Sequence, residues 1–110
     1  MEYAYTLDDI QDNAKAQPMA LLFFTRADCD ACADLQPKIE RLVQNHPRMS
    51  GLVVSLDRIP MAASRFSVFV LPAVLVYAGG KPVLSVAEHI DVGQLADHVK
   101  AVYRSMFFPD

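Results

Sequence analysis

The chain has only two cysteines and four glycines among its 110 residues, it has no tryptophan, and neither sign of charge dominates. The small formal charge of -3 and the pI near 5.5 leave no basic surface to hold a phosphate backbone, so nucleic acid is excluded as an expected partner. Long apolar runs are also missing. "MALLFF" and "VFVLPAVLVYA" are too short or too interrupted to cross a bilayer, and "MEYAYTLDD" lacks the basic-then-apolar order of a signal peptide. A cytoplasmic protein is therefore expected. In that compartment a lone cysteine pair points to catalysis or metal binding more than to a permanent structural disulfide. No Gly-rich phosphate loop, acid pair or serine nucleophile arrangement competes with the cysteines. With 53% apolar and 21% charged residues the chain can bury one main core without a covalent staple, and a single domain over residues 1–110 is expected.

Helix and strand patterns alternate along the chain. "TLDDIQDNAKAQ" offers Thr6 as N-cap and Asp9 three positions on, with Leu7, Ile10 and Ala14 along one apolar side. Pro18 ends that helix, since it has no amide to donate and disfavours helical geometry in Gln17. "MALLFFT" has the apolar density of a strand covered on both faces. "CADLQPKIERLVQNH" places Leu35, Ile39, Leu42 and Val43 on a helical stripe interrupted at Pro37, where a kink is expected. "GLVVSLD" reads as a strand and "PMAASRF" as a short helix entered through Pro60. "AVLVYAGGKPVLSVAE" reads as a hairpin turning at Gly79 and Gly80. Asp91 with Gln94 resembles a capping box ahead of a final helix that carries Val92, Leu95, Val99 and Val102. The order α-β-α-β-α-β-β-α predicts an α/β fold, a central mixed sheet of about four strands flanked by helices.

Cys29 and Cys32 fall where a buried strand hands over to a helix. A helix start brings residues one turn apart close enough to form a disulfide, and its free amides and dipole favour a thiolate on the first cysteine. Cys29 would attack a substrate disulfide, and Cys32 would resolve the mixed disulfide by attacking the first sulfur. A zinc reading needs two further ligands, and His46, His89 and His98 lie scattered without a second tight pair. No metal and no cofactor are expected.

The chain resembles the thioredoxin family over nearly all of its length. "FFTRADCDAC" stands where that family carries the end of its central strand and a WCxxC motif. Pro37 matches the proline that kinks the active-site helix, and "SRFSVFVLPAVLVYAGGKPV" resembles the stretch leading through a cis-proline, a strand and a glycine turn. The resemblance implies a cis Leu71–Pro72 bond packed against the cysteines, with Gly80 in the following turn. The backbone of Leu71 would pair with an extended substrate segment. Read from the residues alone, Pro72 marks only the entrance of a strand. Asp28, Asp30 and Ala31 join Leu71 and Pro72 as expected substrate contacts, and Arg26 as a modulating residue.

The departures from the family bear on activity. Phe23 occupies the position of the family's buried aspartate, which removes the obvious internal base, and Asp28 replaces the tryptophan before the first cysteine, which removes part of a flat docking surface. Asp28 and Asp30 oppose ionisation of Cys29, while the helix start favours it and Arg26 offsets part of the carboxylate field. Asp57 is expected to cap the helix entered through Pro60. Phe66, Phe69, Met19, Met61 and the tyrosines are expected to be packing groups. Two functions follow. One is a protein-disulfide reductase acting through Cys29 and Cys32, with protein disulfides as substrates and a thioredoxin reductase as electron source. The other is an accessory protein that keeps the fold for binding and uses its thiols little. "MFFP" at 106–109 suggests a weak homo-oligomer contact or a tail that folds back.

Overall fold

A computed structural model describes all of residues 1–110. The elements run β1 (Glu2–Tyr3), α1 (Leu7–Ala16), β2 (Met19–Thr25), α2 (Asp30–Gln44), β3 (Ser50–Ser55), α3 (Ala62–Arg65), β4 (Ala73–Ala78), β5 (Lys81–Ala87) and α4 (Val92–Phe107). One sheet holds five strands in the order β1-β3-β2-β4-β5. β3 runs parallel to both β1 and β2, whereas β4 is antiparallel to β2 and to β5. The sheet is mixed, as expected, but it has one strand more than the sequence indicated. β1 is two exposed residues long and pairs only with Leu52 and Val53, too short to show any periodicity.

The period of two in β2 decides what lies on each face of the sheet. Met19, Leu21 and Phe23 join Val53, Val74 and Val76 beneath Leu35, Ile39 and Leu42 of α2 and Leu95, Val99 and Tyr103 of α4. Leu22 and Phe24 point the other way, to Leu52, Val54, Ala73 and Leu75 beneath Ile10 of α1 and Ala62 of α3. Helices thus cover both faces, which is why the central strand reads as a continuous apolar run. No polar or charged side chain is buried anywhere.

Local signals set the element ends. Thr6 Oγ1 accepts the Asp9 N–H at 3.1 Å while Asp9 Oδ2 accepts the Thr6 and Tyr5 N–H groups at 3.0 Å each, the capping box the sequence predicts. At α4 half of the expected box is present: Asp91 Oδ1 accepts the Gln94 N–H at 3.1 Å. Gly79 and Gly80 have φ of +60° and +77° and join Ala78 to its partner Lys81, the geometry of a two-residue hairpin turn that needs positive φ twice. Gly51 is required for a different reason, because a Cβ there would sit 2.8 Å from the Val43 methyls of α2. Near the C-terminus Phe107, the last residue of α4, lies one helical turn from Tyr103, with ring centroids 4.8 Å apart, and beneath the Arg48 guanidinium, while Phe108 remains exposed.

Candidate functional site

The C-terminal end of β2 delivers the chain to the cysteines through a three-residue turn, Arg26 to Asp28. Two bonds from the neighbouring connection hold that turn. The Leu56 N–H donates to the Thr25 carbonyl at 2.9 Å, and Asp57 Oδ2 accepts the Ala27 N–H at 2.7 Å. The Cys29 N–H closes the turn on the Arg26 carbonyl at 3.2 Å. Cys29 is then the N-cap of α2: its backbone is extended and its Sγ accepts the Cys32 N–H at 3.1 Å. A sulfur in this place takes the role that an oxygen has at most helix starts, satisfying an orphan amide where the helix dipole favours negative charge.

Cys29 and Cys32 form a disulfide across one helical turn, with Cα atoms 5.2 Å apart. Their surroundings differ. Cys32 is 0% exposed and belongs to the core cluster of Phe23, Leu35 and Val74, whereas Cys29 is partly exposed and packs on the rim of that cluster. The pair therefore has an outer sulfur that a partner can reach and an inner one that it cannot.

Phe23 is fully buried, directly between Val53 and Val74 in the sheet register, so apolar side chains surround the inner cysteine from the sheet side. Pro37 lies inside α2, exposed, and leaves the Ala33 carbonyl without its usual amide partner. Arg26 and Asp28 form an exposed pair, Nε to Oδ1 3.6 Å, and Asp30 and Ala31 are exposed on the first turn of α2. Asp30 there stabilises the helix start while opposing a thiolate beside it.

The Leu71–Pro72 bond is cis, and Pro72 is buried. Pro72 and Ala31 line one groove of about 510 Å³, which continues along Asp34 and Lys38 of α2 and is closed by residues 88–91 ahead of α4. In the approach to Pro72 the N–H and C=O groups of Phe69, Val70 and Leu71 make no intrachain hydrogen bond. That segment offers an unpaired backbone edge beside the groove.

Two sequence expectations need correction here. Asp57 does not cap α3, whose N-cap is Met61 with no side-chain bond; its carboxylate reaches back across 30 residues to the turn before Cys29. Phe69, Met61, Tyr5 and Tyr3 are not packing groups either, being 80%, 65%, 72% and 44% exposed. Their apolar and aromatic character suggested packing, but that character does not say on which side of a segment a residue emerges. The histidines lie apart: His46 Nδ1 is 2.8 Å from the Leu42 carbonyl oxygen, and His89 and His98 are exposed. No group of three His, Cys, Asp or Glu side chains is placed to hold a metal ion, and no helix is long and apolar enough to cross a membrane.

A family model described as thioredoxin matches residues 6–101. The chain is 26% identical over 100 residues, 91% of its length, to the thioredoxin-like protein YdfQ of Bacillus subtilis (strain 168), covering 89% of that protein. Among solved structures it is similar to oxidised mitochondrial thioredoxin 3 from Saccharomyces cerevisiae, with a TM-score of 0.83 at 18% identity over 92% of this chain and 94% of the other. It is equally similar to oxidised thioredoxin O2 from Arabidopsis thaliana, at 0.83 and 20% identity over 92% of each chain.

Proposed function

Because the chain belongs to the thioredoxin family, we propose that it is a cytoplasmic thiol–disulfide oxidoreductase that reduces protein disulfides through Cys29 and Cys32. The observation that carries this reading is the asymmetric pair itself, a reachable sulfur at a helix N-cap joined to a buried one a turn further in.

In the reductive direction the Cys29 thiolate attacks one sulfur of a substrate disulfide. A Cys29–substrate bond forms, and the other substrate sulfur leaves as a thiolate. Cys32, once deprotonated, attacks Cys29 Sγ, the mixed disulfide breaks, and the second substrate sulfur departs. Two electrons pass to the substrate, and the pair ends as the disulfide described above. A dithiol or flavin-linked donor must return those electrons, and a thioredoxin reductase is the proposed partner. The Cys32 N–H bond stabilises charge on Cys29, and no carboxylate beneath the pair assists Cys32. An extended substrate segment adds to the free backbone edge at Leu71, beside Pro72, and passes Ala31, Asp30 and Asp28 at the motif. Arg26 tempers the field of Asp28.

The test is a redox titration against glutathione and dithiothreitol couples with mass analysis of the thiols, paired with reduction of a protein disulfide by wild type and by the two single Cys→Ser variants. A measurable midpoint, with loss of turnover in both variants, is expected. Absence of any reversible Cys29–Cys32 couple would replace the reductase with the accessory-protein reading, for which the lost docking tryptophan and missing buried acid already argue.

A further inference from the structure

Two residues other than glycine have a positive φ, Ser67 at 56° and Glu88 at 71°. The fold accounts for the first. Ser67 follows the C-cap of α3, where its N–H donates to the Ser64 carbonyl at 3.3 Å and the Val68 N–H to the Ala63 carbonyl at 2.8 Å, a helix stop that needs one left-handed residue. At residue 88 the chain leaves β5 through a backbone bond, the Glu88 N–H donating to the Pro72 carbonyl at 2.8 Å just beyond the Ala73–Ala87 pair. That bond has no need of a carboxylate. Glycine would take that φ without penalty, and the Glu88 side chain, 62% exposed, makes no hydrogen bond and pairs only with the exposed His89, at 3.7 Å. A largely exposed carboxylate at a conformationally costly position, without a hydrogen bond to the fold, is free to meet a partner.

Its surroundings show on what. The backbone bond to Pro72 fixes Glu88 at the wall of the groove that also contains Ala31 from between the cysteines. Three carboxylates line that groove, from Asp34, Glu88 and Asp91, against Lys38 as its one permanent cation. Asp91 is already engaged by the Gln94 amide. We infer that Glu88 is a specificity-determining residue of the cysteine site, which selects disulfide substrates carrying lysine or arginine next to the reacting cysteine. This rests on the redox reading above and adds the substrate class to it. A cationic side chain on a segment docked along Leu71 meets Glu88 and Asp34 as it passes Pro72, and like charge on an acidic segment is repelled there.

Disulfide peptides identical except for lysine, glutamine or glutamate flanking the cysteine test the inference. Exchange rates with reduced wild type, Glu88→Gln, Glu88→Gly and Glu88→Lys are compared at low ionic strength and at about 1 M salt, where the charge effect is screened. Wild type is expected to favour the lysine peptide over the glutamate peptide by about three- to tenfold at low salt, the range of a few exposed charge contacts. That ratio is expected to approach unity in Glu88→Gln and Glu88→Gly and to invert in Glu88→Lys. Glu88→Gly is expected to melt no lower than wild type, which separates lost selection from lost folding. An unchanged ratio in Glu88→Gln, or a ratio insensitive to salt, would overturn the inference. Fluorescence anisotropy with the same peptides carrying serine for cysteine reads selection without chemistry. Exchange with none of the peptides would defeat the redox reading alone, and equal binding of the three serine peptides to wild type would defeat the charge selection alone.

Discussion

Replacing Phe23 with aspartate puts a carboxyl at the position where the resemblance to thioredoxins leads one to expect it, and the surrounding packing sets what that does. The ring is 0% exposed and is held by Val53 and Val74 on either side in the sheet and by the α2 and α4 residues of the same core cluster. Truncating a fully buried phenylalanine costs about 3–5 kcal/mol through lost transfer and the cavity left behind. A neutral carboxyl without a partner adds roughly 1–3 kcal/mol, since no buried polar group is there to bond it. The sum, about 4–8 kcal/mol, is a large share of the total for a domain of this size. Phe23→Leu, which keeps an apolar side chain of smaller volume, serves as the folded control at about 1 kcal/mol. The pH dependence identifies the cause. Burial raises the introduced carboxyl's folded-state pKa above its unfolded value of about 3.9. The unfolded chain then binds fewer protons than the folded one between those two values, so the variant loses stability as pH rises through that window and regains it toward pH 4. Denaturant melts of Phe23→Asp, Phe23→Leu and wild type across pH measure both effects. Stopped-flow resolution of the mixed disulfide then asks whether a base beneath Cys32 accelerates its attack, as expected if the missing acid limits the protein. Unchanged stability would refute the packing of residue 23, and a destabilised but folded variant with no kinetic gain would refute the limiting role of the base.

Alkylation of the reduced protein at neutral pH is expected to reach the partly exposed Cys29 before the buried Cys32, and Cys32→Ser to accumulate a mixed disulfide with substrate; peptide mapping that found Cys32 labelled first would reverse the roles. Asp57→Ala removes the 2.7 Å bond to the Ala27 amide, so it is expected to lower stability by about 1 kcal/mol and to raise hydrogen exchange at residues 26–29, measured by mass spectrometry; no change in exchange there would show that the turn holds itself. The Asp9 carboxyl lies below its ordinary value of 3.8, chiefly because it accepts the Tyr5 and Thr6 amides. A depressed folded-state pKa contributes stability that is present above the unfolded value and lost as pH falls through the folded one. Asp9→Asn is therefore expected to melt below wild type at pH 6, with the gap closing toward pH 2, and a gap that is constant with pH would refute the charge-based cap.

Local chemistry was legible residue by residue. The Thr6–Asp9 box, the stop at Pro18, the paired glycines of the hairpin and the burial of β2 all depend on one to seven contiguous residues whose effect on the backbone is intrinsic. The position of Cys29 at a helix start belongs to the same class. Resemblance added the cis bond before Pro72, which the composition of its neighbourhood could not, because that isomer is a minority before any proline. Only the tertiary structure decided the rest. β1 exists because β3 has an open edge to receive it, so nothing within Glu2 and Tyr3 announces a strand. Asp57 braces the turn before Cys29 and does not cap the helix that follows it, because β2 and β3 run parallel and end side by side, bringing together residues 30 apart in sequence. Phe69 emerges into solvent beside Pro72 despite its apolar neighbours, and Glu88 lines the groove from a left-handed backbone position that a glutamate gives no sign of adopting. Intrinsic preference sets what a segment can be, whereas the direction in which a loop residue points is fixed by the elements to which its backbone is bonded.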